Sequence, residues 1–201
     1  MATKKAKPTV KKATPAANPI PPIKKLVLPA SLQHVKPGEL PPCLLVDIKP
    51  FGKLHPAAAN AYNAVRAAAF AAGIKQFKPI SRGDTYRSVS LQRQGFLARY
   101  TLDPIPGQKP RVYEGKNYYL KPGNAPMAVP GTSRHNLGLA CDYANMNGAT
   151  FAFMCEHGPR FGWSLEVMPA EPWHWFYWPG DRVPAAVTQY LQGLPPVSPT
   201  A

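Results

Sequence analysis

Two short apolar segments of the chain each carry one ionisable side chain, and this feature constrains the fold most. Residues 139–144 are apolar apart from Asp142, and residues 173–178 are almost wholly aromatic apart from His174. Both compositions are typical of buried strands. An unpaired charge in such a strand is very costly, so Asp142 needs a partner, and a metal ion is one such partner.

The neighbouring residues supply a ligand set for that metal. His135 precedes Asp142 by seven positions, and Gly138 between them allows a sharp turn, so that both side chains can converge. With His174 they make three protein ligands, the number that a catalytic zinc site uses while it leaves one position for water. Glu171, three residues before His174, is then free to take a proton from that water.

Two of these residues also have a plain structural interpretation. A lone histidine beside an aromatic run, such as His174, is more often a packed core residue than a metal ligand. Glu171 can equally be a surface acid at the start of a strand. Taken one at a time, the residues leave these alternatives open.

The two segments together match a known pattern. Ser-x-His-x-x-Gly-x-Ala-x-Asp at 133–142, followed by Glu-x-Trp-His at 171–174, resembles the signature of the D-alanyl-D-alanine carboxypeptidase and endolysin-type zinc peptidases. These enzymes, the LAS group, cut peptidoglycan stem peptides. The resemblance covers about residues 74–178. It implies Zn²⁺ as the cofactor, Glu171 as the catalytic base and a peptidoglycan stem peptide as the substrate.

A second set of residues is similar to the same family. Tyr-Arg-Ser at 86–88 is followed by Gln92, five residues after Arg87. In the family this arginine faces the metal and binds a substrate oxygen. The chemistry is suitable, because a fixed guanidinium stabilises the oxyanion that develops on the scissile carbonyl. Taken alone, Arg87 would be an ordinary surface or salt-bridge residue. Ser133 and Gln92 are expected to help in binding or positioning the substrate.

Short helix and strand patterns alternate along the chain and predict a small α+β domain. The clearest helix is 56–73, with proline in its first turn and glycine at its end. Its apolar face is predicted to carry Tyr62, Val65, Ala69 and Phe70. Ser88 is a good cap for a second helix, with Leu91 and Phe96 or Leu97 facing inward. The metal ligands are expected on an antiparallel sheet with flanking helices. Other predicted elements are strands at about 44–48, 77–81, 112–114, 117–120 and 161–165, and helices at 149–157 and 183–191.

The beginning of the chain differs in composition from the rest. Residues 1–25 contain seven lysines and no acid, and ten of the 26 prolines lie in the first 50 residues. Such a composition cannot bury enough apolar surface to fold. The predicted organisation is therefore a disordered basic tail at 1–40, a zinc peptidase domain at 41–193 and a loose tail at 194–201. The basic tail can be a linker, or it can contact anionic wall polymers or nucleic acid nonspecifically.

The sequence also limits where the protein acts. No run of about 7 to 15 apolar residues follows the N-terminal lysines, so no secretory signal peptide is expected, and no segment approaches a membrane span. The expectation is an enzyme made in the cytoplasm that reaches the wall through a phage holin, or one that is carried on a virion. The peptide bond cut and the oligomeric state are left open.

Two other classes of protein are alternatives to a peptidase. The first is an inactive peptidoglycan-binding module that keeps the metal, although such a module has no need of a catalytic base such as Glu171. The second is a structural protein associated with nucleic acid, which the net charge of +14 favours. The folded region contains no recognised nucleic-acid-binding motif.

Overall fold

The helices and strands are short, and they alternate along residues 19–146 and 148–193, which the computed structural model describes. The helices are α1 (Pro56–Ala71), α2 (Val89–Arg99), α3 (Gly148–His157) and α4 (Ala185–Leu191). The strands are β1 (Val46–Asp47), β2 (Lys53–Leu54), β3 (Tyr100–Thr101), β4 (Arg111–Tyr113), β5 (Lys116–Leu120), β6 (Ala140–Asp142), β7 (Trp163–Leu165) and β8 (His174–Tyr177). None of these helices is long and apolar enough to cross a lipid bilayer.

The strands form three small antiparallel sheets. β1 pairs with β2, β5 lies between β3 and β4, and β8 lies between β6 and β7. In the third sheet Asp142 and His174 are directly opposite each other, because β6 ends where β8 begins. The predicted α+β class, with antiparallel sheets and flanking helices, is confirmed.

Helix α1 packs against the main core through a stripe of small residues. The predicted inward positions Tyr62, Val65 and Ala69 are fully buried, and several alanines accompany them. Phe70, which the same pattern placed inward, is 40% exposed, and the guanidinium of Arg66 lies 4.3 Å from its ring centroid. The apolar face of this helix is therefore narrower than its hydrophobic residues suggest.

A second, smaller core lies between helix α2 and the β3–β5–β4 sheet. Phe96 is fully buried and stacks on Tyr100, with their ring centroids 4.3 Å apart, and Tyr118 packs edge-on at 5.3 Å. The cap at Ser88 is as predicted, since its Oγ accepts a hydrogen bond from the backbone N–H of Leu91. The prediction that Leu91 faces inward is wrong, because its side chain is 46% exposed in the first turn of the helix.

Two predicted strands are shorter in the structure or replaced by other conformations. Residues Pro42–Leu44 form a 3-10 turn, and only Val46–Asp47 pairs as a strand. The segment 77–81 makes a single bridge, Pro79 to Tyr143, flanked by two backbone hydrogen bonds. Pro79 stands at the non-hydrogen-bonded position of this bridge, because the two bonds join Ile80 to Asp142 and Ala144 to Lys78, so its missing N–H costs the bridge no bond.

The N-terminal boundary of the fold lies earlier than the predicted residue 41. Leu32 and Leu40 are buried, and the backbone N–H of Val27 donates to the carbonyl of Trp178 at 2.9 Å. The N–H of Ala30 likewise donates to a carboxylate oxygen of Asp181 at 2.8 Å. The prediction of disorder therefore does not hold for residues 19–40, since their few apolar groups and backbone donors find partners on the finished domain. Residues 1–18 and 194–201, the remainder of the two predicted tails, lie outside the described residues.

The packing of this N-terminal segment can be measured with one substitution. Leu32→Ala should lower the free energy of unfolding by about 2–5 kcal/mol, because it removes a fully buried leucine and leaves a cavity. Ile23→Ala is the matched control, since Ile23 lies in the same segment but is 55% exposed, and it should change the free energy by less than about 0.5 kcal/mol. Urea unfolding of both variants tests this, and equal values would show that the segment does not pack on the domain.

Candidate metal centre

The structure brings the three predicted metal ligands together. Potential ligand atoms of His135, Asp142 and His174 lie within 4.8 Å of one another, and all three residues are buried. Oδ1 of Asp142 is 3.3 Å from Nε2 of His135 and 2.7 Å from Nδ1 of His174. One carboxylate oxygen therefore faces one nitrogen from each imidazole.

Local backbone structure places His135. It lies in the 3-10 helix Arg134–Leu137, which Ser133 caps by accepting a hydrogen bond from the His135 N–H. Gly138 ends this helix in the left-handed conformation, with φ of 65°, and a Cβ atom there would lie only 2.9 Å from the backbone nitrogen of His55. Glycine is thus required for both the turn and the close approach, as the sequence predicted.

A hydrogen bond selects the tautomer of His135. Nδ1 lies 2.8 Å from the carbonyl oxygen of Thr85. A carbonyl oxygen can only accept, so Nδ1 carries the proton. In the neutral ring Nε2 then presents its lone pair towards Asp142, which is the state that a metal ligand needs.

Asp142 and His174 differ in the way burial and hydrogen bonding shift their ionisation. Burial alone would raise the pKa of Asp142, but the adjacent imidazoles of His135 and His174 hold that pKa well below its usual value. Burial alone would lower the pKa of His174, but hydrogen bonds to Asp142 and Glu166 raise it to about 9. The cluster therefore keeps a buried carboxylate ionised, stabilised by neighbouring donors.

The chemistry of this donor set suits zinc. Two imidazole nitrogens and one carboxylate oxygen are a ligand combination that catalytic zinc sites use, with a fourth position for water. The three residues lie on two paired strands and one capped turn, so their geometry is set by backbone hydrogen bonds. His135, Asp142 and His174 could therefore hold a metal ion.

Arg87 lies beside this cluster with its guanidinium held by acceptors. Its Nε donates to the carbonyl of Gly83 at 2.8 Å, Nη1 to Oε1 of Gln92 at 2.9 Å, and Nη2 to Oδ1 of Asp84 at 3.4 Å. Burial lowers the pKa of Arg87, and the charges of Asp142 and Asp84 oppose that shift. The result is a fixed cation beside the candidate ligands.

Gln92 and Ser133, expected to bind or position substrate, make contacts within the protein. Gln92 is fully buried; it accepts from Arg87 and donates from Nε2 to the carbonyl of Ala128 at 2.7 Å. Ser133 caps the turn that carries His135, and its N–H donates to Oδ1 of Asn136. The contacts that the structure gives them are therefore with Arg87 and with the His135 turn.

Glu171 lies in the turn that enters β8. Its carbonyl accepts from the His174 N–H at 3.0 Å, and its residue is partly exposed. Its carboxylate is not part of the three-residue cluster described above. The proposed role of Glu171 as a base therefore depends on the resemblance and on its nearness in sequence to His174.

A different carboxylate, which sequence reasoning missed, contacts His174. Oε2 of Glu166 lies 2.9 Å from Nε2 of His174. The pairing of Leu165 with Trp175 places residue 166 opposite His174. The register of β7 with β8 would have identified Glu166 as a neighbour of His174. That register cannot be derived from the sequence, because a loop of irregular structure joins the two strands.

The fold and this centre define the class of the protein. The buried His–Asp–His group, with two residues on an antiparallel sheet and one on a capped turn, suits the metal site of a zinc-dependent hydrolase. The family model of VanY, D-alanyl-D-alanine carboxypeptidase, matches residues 52–180, and the chain belongs to this family. It is therefore an enzyme, a zinc metallopeptidase of a peptidoglycan-acting family, and the two alternative classes are set aside.

Solved structures resemble the chain at low identity. The structure of VanYB in complex with D-alanine-D-alanine has a TM-score of 0.49 and 22% identity, over 75% of this chain and 83% of that chain. A zinc complex of a VanY D,D-pentapeptidase mutant from a VanB-type resistance cassette has a TM-score of 0.48 and 22% identity, over 75% and 85%. The L,D-carboxypeptidase DacB of Streptococcus pneumonia has a TM-score of 0.44 and 18% identity, over 74% and 81%. A comparison with curated protein sequences found no significant match.

The ligand set can be tested by metal content. The wild-type protein should bind one zinc ion per chain, and His135→Ala, Asp142→Ala and His174→Ala should each lose it, because three ligands are needed to hold the ion. His34→Ala is the matched control, since His34 is exposed and distant in sequence, and it should keep full occupancy. Elemental analysis decides the matter, and full zinc in the His174→Ala protein would remove His174 from the ligand set.

Proposed function

We propose that this enzyme removes the terminal D-alanine from peptidoglycan stem peptides in a zinc-dependent hydrolysis. The observation that carries the proposal is the convergence of His135, Asp142 and His174 within 4.8 Å. It occurs in a chain whose residues 52–180 match the D-alanyl-D-alanine carboxypeptidase family. In this proposal Nε2 of His135, Oδ1 of Asp142 and Nδ1 of His174 hold the metal. When bound, zinc would act as a Lewis acid and lower the pKa of a water molecule.

Glu171 is the proposed general base. It lies three residues before His174, in the turn that enters β8, and its partly exposed position leaves it free to reach a substrate-side water. One oxygen of its carboxylate accepts a proton from the attacking water, and the same group later gives that proton to the leaving amine. The peptide C–N bond breaks, and the water oxygen becomes part of the new carboxylate.

Arg87 is the proposed group that stabilises the developing oxyanion. Three acceptors hold its guanidinium in place, so little ordering is required when the negative charge develops. Gln92 is a positioning residue in this proposal, since it is fully buried and links Arg87 to the carbonyl of Ala128. Ser133 acts in the same way on the turn that carries His135.

The bond that is cut can be determined directly. Purified muropeptides are digested with the zinc-loaded protein and analysed by mass spectrometry. Release of free D-alanine from pentapeptides supports the carboxypeptidase. A cut between L-alanine and D-glutamate would instead overturn the proposed carboxypeptidase activity. It would support the endopeptidase activity that the resemblance to endolysin-type enzymes also implies. Intact muropeptides after digestion with fully zinc-loaded protein would contradict both.

We also propose, from the same resemblance, that the enzyme serves cell-wall lysis of the phage type if muropeptide digestion shows the endopeptidase cut. Clearing of isolated peptidoglycan sacculi by the added protein tests this, because trimming of terminal residues alone leaves cross-linked walls intact.

Contact of the basic N-terminal residues with anionic wall polymers or nucleic acid stays a prediction. Sedimentation of the protein with sacculi at low salt, and its release at high salt, would support the contact with wall polymers.

The base is tested by Glu171→Gln. This change keeps the side-chain shape but removes the ability to accept a proton, so zinc content and fold should be retained while turnover falls by at least about 10²–10⁴-fold. Glu39→Gln, at an exposed glutamate, is the control and should keep wild-type turnover. Zinc content and muropeptide cleavage are measured on the same preparations. Full zinc with near-wild-type cleavage in Glu171→Gln would exclude this residue as the base.

The role of Arg87 is tested together with that of Gln92, which accepts a hydrogen bond from it. Arg87→Lys should keep zinc but lose turnover, because a lysine cannot make the three directed hydrogen bonds that fix the guanidinium. Gln92→Ala should also lower turnover, but by less than Arg87→Lys, since it removes only the hydrogen-bond acceptor of Nη1 of Arg87. If the two roles are linked, Gln92→Ala should have little further effect in the Arg87→Lys background, and steady-state kinetics on both single variants and the double variant measure this. Fully additive losses would show that Gln92 acts independently of Arg87.

A further inference from the structure

His174 lies in the central strand of its sheet with a carboxylate on either side. In β6 its cross-strand partner is Asp142. On the other side, β7 pairs Leu165 with Trp175, and the next position along, Glu166, comes opposite His174. The two carboxylates contact different ring nitrogens: Oδ1 of Asp142 is 2.7 Å from Nδ1, and Oε2 of Glu166 is 2.9 Å from Nε2.

Glu166 is itself held by a residue from the other ligand segment. Its Oε1 accepts from Nε of Arg134 at 3.2 Å. Arg134 immediately precedes His135 in the 3-10 turn, and its guanidinium lies 5.5 Å from the ring centroid of Phe176. Both side chains of this ion pair are about one-third exposed. The pair thus connects the turn that carries His135 with the imidazole of His174.

The two ring nitrogens of His174 compete for one proton in the neutral ring. A metal bound at Nδ1 needs the lone pair of that nitrogen, so the proton must be on Nε2. Asp142 opposes this arrangement, because its oxygen at 2.7 Å is a strong acceptor for a proton on Nδ1. A carboxylate acceptor on Nε2 offsets this preference, and Glu166 occupies that position.

We propose that Glu166 is a positioning residue for the metal centre, which accepts the Nε2 proton of His174 and so leaves Nδ1 free to bind zinc, while Arg134 holds the Glu166 carboxylate in place. The inference rests on the proposed function only in taking His174 as a metal ligand. Glu166 is not itself one of the converging ligands. It acts through the imidazole, as carboxylates do that accept from metal-bound histidines in other proteins.

Zinc affinity is the first readout, measured at pH 7 by competition with a chromophoric chelator. Glu166→Ala should weaken zinc binding about 10–100-fold, the usual effect of losing such a hydrogen-bond partner. Glu166→Gln keeps an oxygen acceptor and should restore part of that loss. Arg134→Ala should weaken binding in the same direction but less, because the carboxylate remains. Glu39→Ala is the matched control and should bind zinc as the wild type does.

The tautomer of His174 is the second readout. Nitrogen-15 NMR of the zinc-loaded wild-type protein should show the His174 proton on Nε2, in slow exchange with solvent because Glu166 accepts it. In the Arg134→Ala protein this signal should exchange faster. A structural role of Glu166 in packing alone would change the thermal midpoint Tm but would not move this signal.

The results separate this inference from the proposed function. Loss of zinc in His174→Ala together with wild-type affinity in Glu166→Ala would overturn the inference and keep His174 as a ligand. Full zinc in His174→Ala would overturn the proposed ligand set first. Equal losses of zinc affinity in Glu166→Ala and Glu166→Gln would also overturn the inference, because an oxygen acceptor at Nε2 would then make no difference to zinc binding. If Glu166→Ala does not fold, Arg134→Ala decides: weaker binding supports the inference, and unchanged binding overturns it.

Discussion

The rest of this structure depends on one buried carboxylate, that of Asp142. It ends the fully buried strand β6, where an unpaired charge would cost several kcal/mol. Its oxygen is paired with His135 from the preceding turn and with His174 from the adjacent strand. The strand can therefore be buried only when the turn and the hairpin are both in place. Burial of this strand therefore depends on the same contacts that assemble the candidate site.

Main-chain carbonyls accept hydrogen bonds from several side chains of the site. The Thr85 carbonyl holds His135, and the carbonyls of Gly83 and Ala128 hold Arg87 and Gln92. Main-chain acceptors are themselves fixed by backbone hydrogen bonds, such as that from the Arg87 N–H to the carbonyl of His135. Such preorganisation reduces the reorganisation needed when charge develops in a reaction. Gln92 and Ser133, which were expected to bind or position substrate, contact Arg87 and the turn that carries His135.

Local sequence patterns were sufficient for the regular elements near the site. Helix α1, the Ser88 cap of α2 and strands β6 and β8 follow from periodicity, capping chemistry and apolar runs of the right length. The patterns failed where a segment's conformation depends on a distant partner. Residues 19–40 are ordered because Leu32 and Val27 find sites on a domain that the rest of the chain builds. Leu91 is exposed because the sheet against which α2 packs covers only the Phe96 side of the helix.

The sequence by itself determined the family, the candidate donor set and the turn at Gly138, because each depends on residue types at short and fixed spacing. Only the tertiary structure decided which groups surround those donors. Glu166 is eight residues from His174, and the register of β7 with β8 brings these two together. Arg134 is 40 residues from His174 and contacts Glu166 from the turn that carries His135. Hydrogen bonds between such residues depend on strand register and loop path. These are set by the packing of the whole domain, so no local pattern of residues encodes them.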